Sequence, residues 1–174
     1  MSVRRFRELI GMKKIGLYPG TFDPITLGHV DIIKRASQIV DTLYVGVAEN
    51  KNKKTLFSTS ERVDIVKKSL GSSLKNIKIV NFNTLTIKFC KKIKASIIFR
   101  GLRVVTDFEY EFQLAGMNNR LDNKIQTIFL MADIENQLIS SNMVKEIAEL
   151  GGNVEKFAPK QAIVYLNKKF KNKK

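Results

Sequence analysis

Residues 18–29 read YPGTFDPITLGH, and they join a predicted strand to a predicted helix. Glycine and proline form the turn after the strand, and Gly20 lets a ligand approach the backbone closely. Gly28 and His29 open the helix, whose free N–H groups and partial positive charge suit a phosphate group. The stretch therefore predicts a phosphate-binding turn between a strand and a helix.

The histidine at the end of this stretch, His29, is the only one in the chain. A lone histidine on an apolar face is usually structural, but a glycine-rich turn at a helix start favours a functional role. With no second histidine and a single, distant cysteine, the sequence shows no His or Cys partner near His29 for a metal site. We therefore exclude metal coordination as its main task.

Short β-rich runs alternate with helical periodicity on both sides of the turn. The predicted strands cover residues 14–18, 43–48, 77–82, 96–99 and 125–131. The predicted helices cover residues 29–40, a segment opened by the capping-box spacing of Ser58 and Glu61, a segment around Phe89, residues 105–121, residues 140–150, and a last segment from Lys160. This alternation predicts an α/β fold with a doubly wound five-stranded parallel sheet. Ligands bind beyond the carboxyl ends of such strands, so motifs that follow the strands should converge.

The helix predicted over residues 105–121 has apolar residues at helical spacing. We expect Phe108, Phe112 and Ala115 to face the core.

Length and composition indicate one folded domain over residues 12–174. Hydrophobic residues make up 44% of the 174 residues, and no apolar run approaches the length of a membrane span. Residues 1–11 are short and basic without the apolar stretch of a signal peptide, so we interpret them as an extension before a natural start at Met12; a small functional arm is the alternative. With no export signal and one cysteine, Cys90, which we expect to be buried, the predicted compartment is the cytoplasm.

The net charge of +15 indicates an attraction for polyanions. Nucleic acid, ATP and phosphorylated metabolites all fit this charge, and so does a merely soluble basic surface. The lysines of residues 167–174 are typical of a solvated tail. We find no basic-aromatic interleaving of an RNA-recognition sheet and no zinc ligands, so we expect neither a nucleic-acid nor a membrane partner.

Two further motifs follow predicted strands, and a lysine-rich loop covers residues 50–54. Arg100-Gly101-Leu102-Arg103 leads into DFEYE at residues 107–111, and Ile139-Ser140-Ser141 precedes a helix. With the T-x-G-H pattern of residues 26–29, these motifs make the chain from Met12 onward resemble the bacterial phosphopantetheine adenylyltransferases. The resemblance implies a Rossmann-like nucleotidyltransferase fold and transfer of the adenylyl group of ATP to 4'-phosphopantetheine. It also implies Mg²⁺ with the triphosphate, and a homohexamer.

The resemblance also implies roles for individual residues. His29 would stabilise the transition state, with Lys53 and Arg103 as further catalytic groups. The residues implied to bind 4'-phosphopantetheine are Thr21, Lys53, Thr86 and Arg100. Those implied to bind ATP are Thr21, Phe22, His29, Gly101, Leu102, Arg103, Glu111, Asn136, Ile139, Ser140, Ser141 and Asn142.

Several of these roles have plainer alternatives. Lys53 belongs to a loop that is solvated if it has no ligand, and Lys51 or Lys54 could take its place. Glu111 could be an ordinary helix carboxylate that pairs with a base. Ser140 and Ser141 could cap a helix, which is compatible with phosphate binding. The chain departs from the family pattern at Asn142, where a hydroxyl is common, and at Asn136, where an aromatic residue is common.

The chemistry of the implied reaction agrees with this set of residues. A phosphate monoester has its second pKa near about 6, so the acceptor is already an anion and needs no general base. The difficulty is to hold two polyanions in line and to neutralise charge on the leaving pyrophosphate. The chain offers hydroxyls, cations and an imidazole for this task, without a convincing nucleophilic triad. Transfer to nicotinate mononucleotide or to a cytidylyl acceptor is the alternative within the superfamily.

Overall fold

The computed structural model describes residues 13–49, 54–71, 75–103 and 105–171, without the side chains of residues 105–107. Its strands are β1 Ile15–Gly20, β2 Thr42–Ala48, β3 Ile77–Phe82, β4 Ile97–Leu102 and β5 Gln126–Met131. Its helices are α1 Leu27–Ile39, α2 Thr59–Leu70, α3 Thr86–Ile93, α4 Val105–Leu121, α5 Ser141–Glu149 and α6 Lys160–Lys171, with a 3₁₀ turn at Ile134–Asn136. The strands form one parallel sheet in the order β3-β2-β1-β4-β5. The predicted doubly wound parallel sheet is confirmed.

The core lies on both faces of this sheet. Because successive side chains of a strand point to opposite faces, Tyr18 packs into a cluster with α1, α2, α5 and α6, whereas Leu17 packs into a smaller cluster with α3. The predicted buried position of Cys90 falls in the smaller cluster, where burial raises the pKa of the thiol to about 12. Each face of the sheet is thus covered by helices.

The ends of β1 and β4 open the crevice that such sheets use for ligands. The two strands pair only at Gly16 with Ile97 and at Leu17 with Ile98, whereas β1 pairs with β2 along its whole length. Pro19 has no N–H to continue the pairing. The strand order also reverses between β1 and β4, so this gap is the switch point of the sheet.

Three expectations from the sequence are wrong. Pro19 and Gly20, expected to form the turn after the first strand, belong to β1, because both stay in register with β2.

Strand β4 runs three residues past Phe99, because Arg100, Gly101 and Leu102 continue the pairing with β5. Arg100 therefore lies within the strand rather than at its end.

The third error concerns the orientation of α4. Phe108 and Phe112, expected to face the core, are 44% and 62% exposed, and Ala115 is half-buried. Among the side chains of residues 108–121, the buried ones are polar: Glu111 and Asn118. Glu111 turns inward because its carboxylate pairs with Arg100 of β4.

Candidate active site

A hollow of about 550 Å³ lies beyond the carboxyl ends of β1 and β4. The predicted site residues that line it are Thr21, Phe22, His29, Arg100, Gly101, Arg103, Glu111, Ser140, Ser141 and Asn142. Residues that the sequence reasoning did not single out also line it, among them Tyr18, Asp23, Thr55 and Lys145. The motifs that follow the strands therefore meet in one place, as the topology predicts.

Some predicted residues lie elsewhere. Leu102 and Ile139 are buried, and the Ile139 carbonyl accepts a hydrogen bond from Arg103 at 3.1 Å. Asn136 lies beside Gly28, since a Cβ built on that glycine would be 3.5 Å from Asn136. Thr86 is the first residue of α3, outside the lining of the hollow.

The structure describes only part of the lysine-rich loop of residues 50–54. Lys53 and Lys51 lie outside the described residues. Lys54, the next residue along the chain, lines the hollow.

The imidazole of His29 is held by the first turn of its own helix. Its Nδ1 accepts the Thr26 N–H at 3.0 Å and lies 2.9 Å from Thr26 Oγ1. Because Nδ1 is the acceptor, the neutral ring carries its proton on Nε2. Burial, together with the charges of Arg103 and Arg100, lowers the pKa of His29 to about 4. The hollow therefore contains a neutral imidazole whose Nε2–H is a fixed donor.

The ring of Phe22 packs against this imidazole. The two rings meet edge to face with their centroids 5.1 Å apart, and the phenyl ring is almost completely buried. Phe22 has a φ of 50°, a conformation that is rare for a residue with a side chain. This backbone conformation turns the chain sharply after Thr21. The Phe22 ring therefore packs against His29, while Thr21 lines the hollow.

Arg100 and Glu111 form a bidentate pair on the β4 side. Arg100 Nε donates to Glu111 Oε2 at 2.6 Å, a terminal nitrogen donates to Glu111 Oε1, and the other donates to the Pro19 carbonyl at 2.9 Å. The last contact spans the gap where β1 and β4 no longer pair. A guanidinium has five N–H donors, so these three bonds leave two donors for a ligand.

Asp23 ties three segments together. Its carboxylate is 4% exposed and accepts the N–H groups of Leu56 and Phe57 and the ammonium of Lys145, each at 2.9 Å. The turn after β1, the chain before α2 and helix α5 are therefore joined at one side chain. No local pattern in the sequence indicates this contact beyond the position of the aspartate within the motif.

The start of α5 closes the opposite wall. Ser140 is the N-cap, and its hydroxyl accepts the Met143 N–H at 3.1 Å. The Ser141 hydroxyl donates to the Pro24 carbonyl at 2.8 Å. The predicted capping role is therefore present, and the first-turn N–H groups of α5, which have no intrahelical acceptors, stand beside the hollow.

The charges of the lining favour a polyanion. Two carboxylates line the hollow, Asp23 and Glu111, and each is already paired with a cation. The cationic side chains of the lining outnumber them: Lys54, Arg100, Arg103 and Lys145. Among the described residues, no group of three or more His, Cys, Asp or Glu side chains could hold a metal ion. None of the described helices is long and apolar enough to cross a membrane.

A parallel sheet with this strand order and a cationic hollow at its switch point are typical of nucleotide-binding α/β proteins. A family model described as cytidylyltransferase-like matches residues 17–147. A solved structure from Vibrio parahaemolyticus, described as a nicotinate-nucleotide adenylyltransferase, has a TM-score of 0.69 at 18% identity and covers 94% of this chain and 98% of that one. At that identity the likeness concerns the fold.

Curated relatives narrow the class. The phosphopantetheine adenylyltransferase of Pelagibacter ubique (strain HTCC1062) is 52% identical over 163 residues, which covers 91% of this chain and 99% of that protein. That of Acidiphilium cryptum (strain JF-5) is 53% identical over 150 residues, covering 84% and 89%. The chain belongs to the phosphopantetheine adenylyltransferase family.

Proposed function

We propose that this chain transfers the adenylyl group of ATP to 4'-phosphopantetheine, which gives dephospho-coenzyme A and pyrophosphate in the penultimate step of coenzyme A synthesis. The observation that carries the proposal is the convergence of a neutral imidazole, a helix amino terminus and four cationic side chains on one hollow. Relatives named for this activity share about half of their residues with the chain. The use of ATP supports the cytoplasmic location predicted from the sequence.

His29 acts as a donor in this mechanism, since the acceptor phosphate is already ionised and no base is required. With Nδ1 turned to Thr26, Nε2–H is the atom left to meet an α-phosphate oxygen as negative charge builds on it. The low pKa keeps the free imidazole uncharged at neutral pH, and the Thr26 N–H donated to Nδ1 selects the tautomer with the proton on Nε2.

Arg100 binds the acceptor phosphate with its two remaining N–H donors, since planar forks suit phosphate oxygens. Both carboxylate oxygens of Glu111 lie on Arg100. Glu111 therefore contributes by fixing the orientation of the guanidinium, and its implied contact with ATP stays a prediction.

The leaving pyrophosphate lies at the start of α5. Helix-start amides suit a polyanion, and Arg103 and Lys145 line the same hollow. The predicted Mg²⁺ fits only as a companion of ATP, because both carboxylates of the lining are engaged by cations. When bound, Mg²⁺ neutralises charge on the phosphates.

The decisive experiment measures pyrophosphate release from ATP with three acceptors: 4'-phosphopantetheine, pantetheine and nicotinate mononucleotide. We expect release only with 4'-phosphopantetheine, because the reacting group is its phosphate. Release with nicotinate mononucleotide, or with no acceptor, would contradict the proposal. Lys53→Met and Lys54→Met variants in the same assay determine which loop lysine serves the reaction, and the larger loss of kcat identifies it.

We further propose the homohexamer that the family resemblance implies. Helix α4 exposes large apolar side chains in two stripes, one with Phe108 and Phe112 and the other with Tyr110, Met117 and Leu121. An apolar patch of this kind marks a protein interface. Sedimentation equilibrium should give about 119 kDa for six chains of 19.8 kDa each; the mass of a single chain at micromolar concentration would contradict this.

A further inference from the structure

Arg62 is a buried cation that the mechanism above does not use. It lies in the first turns of α2, and its side chain is 2% exposed. The amino end of a helix carries partial positive charge, which disfavours a cation, and burial of a charge is itself unfavourable. Its Nε has no hydrogen-bond partner among the described residues. A position with these penalties calls for a compensating role.

The contacts of Arg62 identify that role. One terminal nitrogen donates to the Thr21 carbonyl at 2.6 Å and to the Ala48 carbonyl at 2.9 Å. The last residues that pair between β1 and β2 are Gly20 and Val47. Thr21 and Ala48 are the next residues in that register, so the guanidinium extends the junction of the two strands by one step.

A third contact fixes the guanidinium itself. The other terminal nitrogen donates to the Thr59 hydroxyl at 3.0 Å, within the same helix. The carboxylates of Asp23 and Glu49 act favourably on its charge. The Arg62 guanidinium therefore holds the Thr21 carbonyl directly before Phe22, where the backbone takes its left-handed conformation.

We propose that Arg62 is a positioning residue for the reaction: it fixes the main chain of Thr21 so that this residue meets the acceptor phosphate. The inference rests on the proposed function. A displacement of about 1 Å in a positioning group lowers turnover by as much as about 100-fold. No side chain of similar length reproduces the fork, since lysine offers a single nitrogen.

The test compares Arg62→Lys and Arg62→Met with the wild type in the pyrophosphate-release assay, at a temperature where circular dichroism shows each variant to be folded. We expect kcat to fall about 10- to 100-fold and the KM for 4'-phosphopantetheine to rise, with the Kd for ATP changed less than about threefold. A merely structural role would reduce the folded fraction and leave that KM unchanged.

A matched control is Arg35→Lys. Arg35 also donates to a carbonyl at the end of a strand, Met131 of β5 at 2.6 Å, but it does not line the hollow. We expect its kinetics to stay within twofold of the wild type. If the Arg62 variants do not fold, Thr59→Val, which removes one contact of the guanidinium, should still raise the acceptor KM about two- to threefold.

The two proposals fail in different ways. Absence of turnover by the wild type with 4'-phosphopantetheine would overturn the proposed function. A wild type that is active, beside a folded Arg62→Lys variant (or Thr59→Val, where that is the variant that folds) with unchanged kcat and acceptor KM, would overturn the role of Arg62 alone.

Discussion

The hollow at the switch point and the outer face of α4 show opposite departures from ordinary burial. In the hollow, charged groups such as Asp23 and Glu111 are buried, and each has a cationic partner. On the outer face, Phe112 and Met117 are 62% and 65% exposed. Buried charge and exposed apolar surface are both unfavourable for a single chain. These departures support the two proposals made for the chain: an anionic ligand in the hollow, and a second copy at α4.

Helix α4 belongs to both regions. Glu111 faces the hollow and Phe112, the next residue, faces outward, because adjacent helical positions point about 100° apart. The proposed interface and the site therefore share helix α4 but use different side chains of it. Substitutions in the two regions should separate catalysis from assembly.

The largest expected effect is that of His29→Ala. Loss of a fixed donor to developing charge should lower kcat about 10²- to 10³-fold, with little change in the Kd for ATP. Steady-state kinetics and calorimetric ATP binding measure the two quantities, with circular dichroism as the control for folding. Near-normal turnover would remove the transition-state role from His29 and leave the hollow without its central donor.

A smaller effect is expected at Arg100. Hydrogen bonds from a cation to a charged group contribute about 1.5–3 kcal/mol, so their loss should raise the KM for 4'-phosphopantetheine about 10- to 100-fold. Arg100→Ala alone would leave Glu111 as an unpaired buried carboxylate, and the double variant Arg100→Ala, Glu111→Gln avoids this. Glu111→Gln alone is the control. An unchanged acceptor KM in the double variant would contradict the assignment.

The pH dependence of stability should reveal the buried imidazole. Burial lowers the pKa of His29 from 6.5 to about 4, so between these values the unfolded chain binds a proton that the folded chain does not. The stability that the neutral, buried His29 contributes to the folded state is complete above pH 6.5 and is lost as the pH falls toward 4. Urea unfolding should show the wild type losing on the order of 2 kcal/mol more than His29→Gln between pH 7 and pH 5. Parallel curves for the two proteins would contradict the low pKa.

A substitution on the outer face of α4 should change the mass of the assembly rather than the rate of the reaction. Phe112→Asp places a charge in the proposed interface and should lower the sedimentation mass by up to about sixfold, which is the full loss of the hexamer. Val164→Asp is a matched control, because Val164 is 56% exposed on α6, away from this face. A hexamer that survives Phe112→Asp would move the interface elsewhere.

Much of the fold could be predicted from local pattern. The strand at residues 77–82, the helix at 105–121 and the helix start at Lys160 agree with the structure. The capping box of Ser58 and Glu61 is present with both of its bonds. Periodicity predicted the existence of α4 but not its orientation. An apolar stripe indicates that a helix face is covered, but it does not say whether the core of the same chain or another surface covers it.

The residues that the sequence reasoning missed share one property. Asp23, Arg62 and Lys145 act through partners that are far away in the chain. An arginine at a core position of an amphipathic helix, beside Ile65 and Val66, was a usable signal for Arg62. Nothing local identified the Thr21 carbonyl as its acceptor.

By itself the sequence determined the order of strands and helices, the caps and the motifs, because these depend on neighbours within a few residues. Only the tertiary structure decided which groups meet across 41 residues for Arg62 and Thr21, 81 for Arg100 and Pro19, and 122 for Lys145 and Asp23. Such pairs form when parallel strands bring their carboxyl ends to one edge of the sheet. A carboxylate is then held beside a cation by the packing of the whole chain, which no local pattern records.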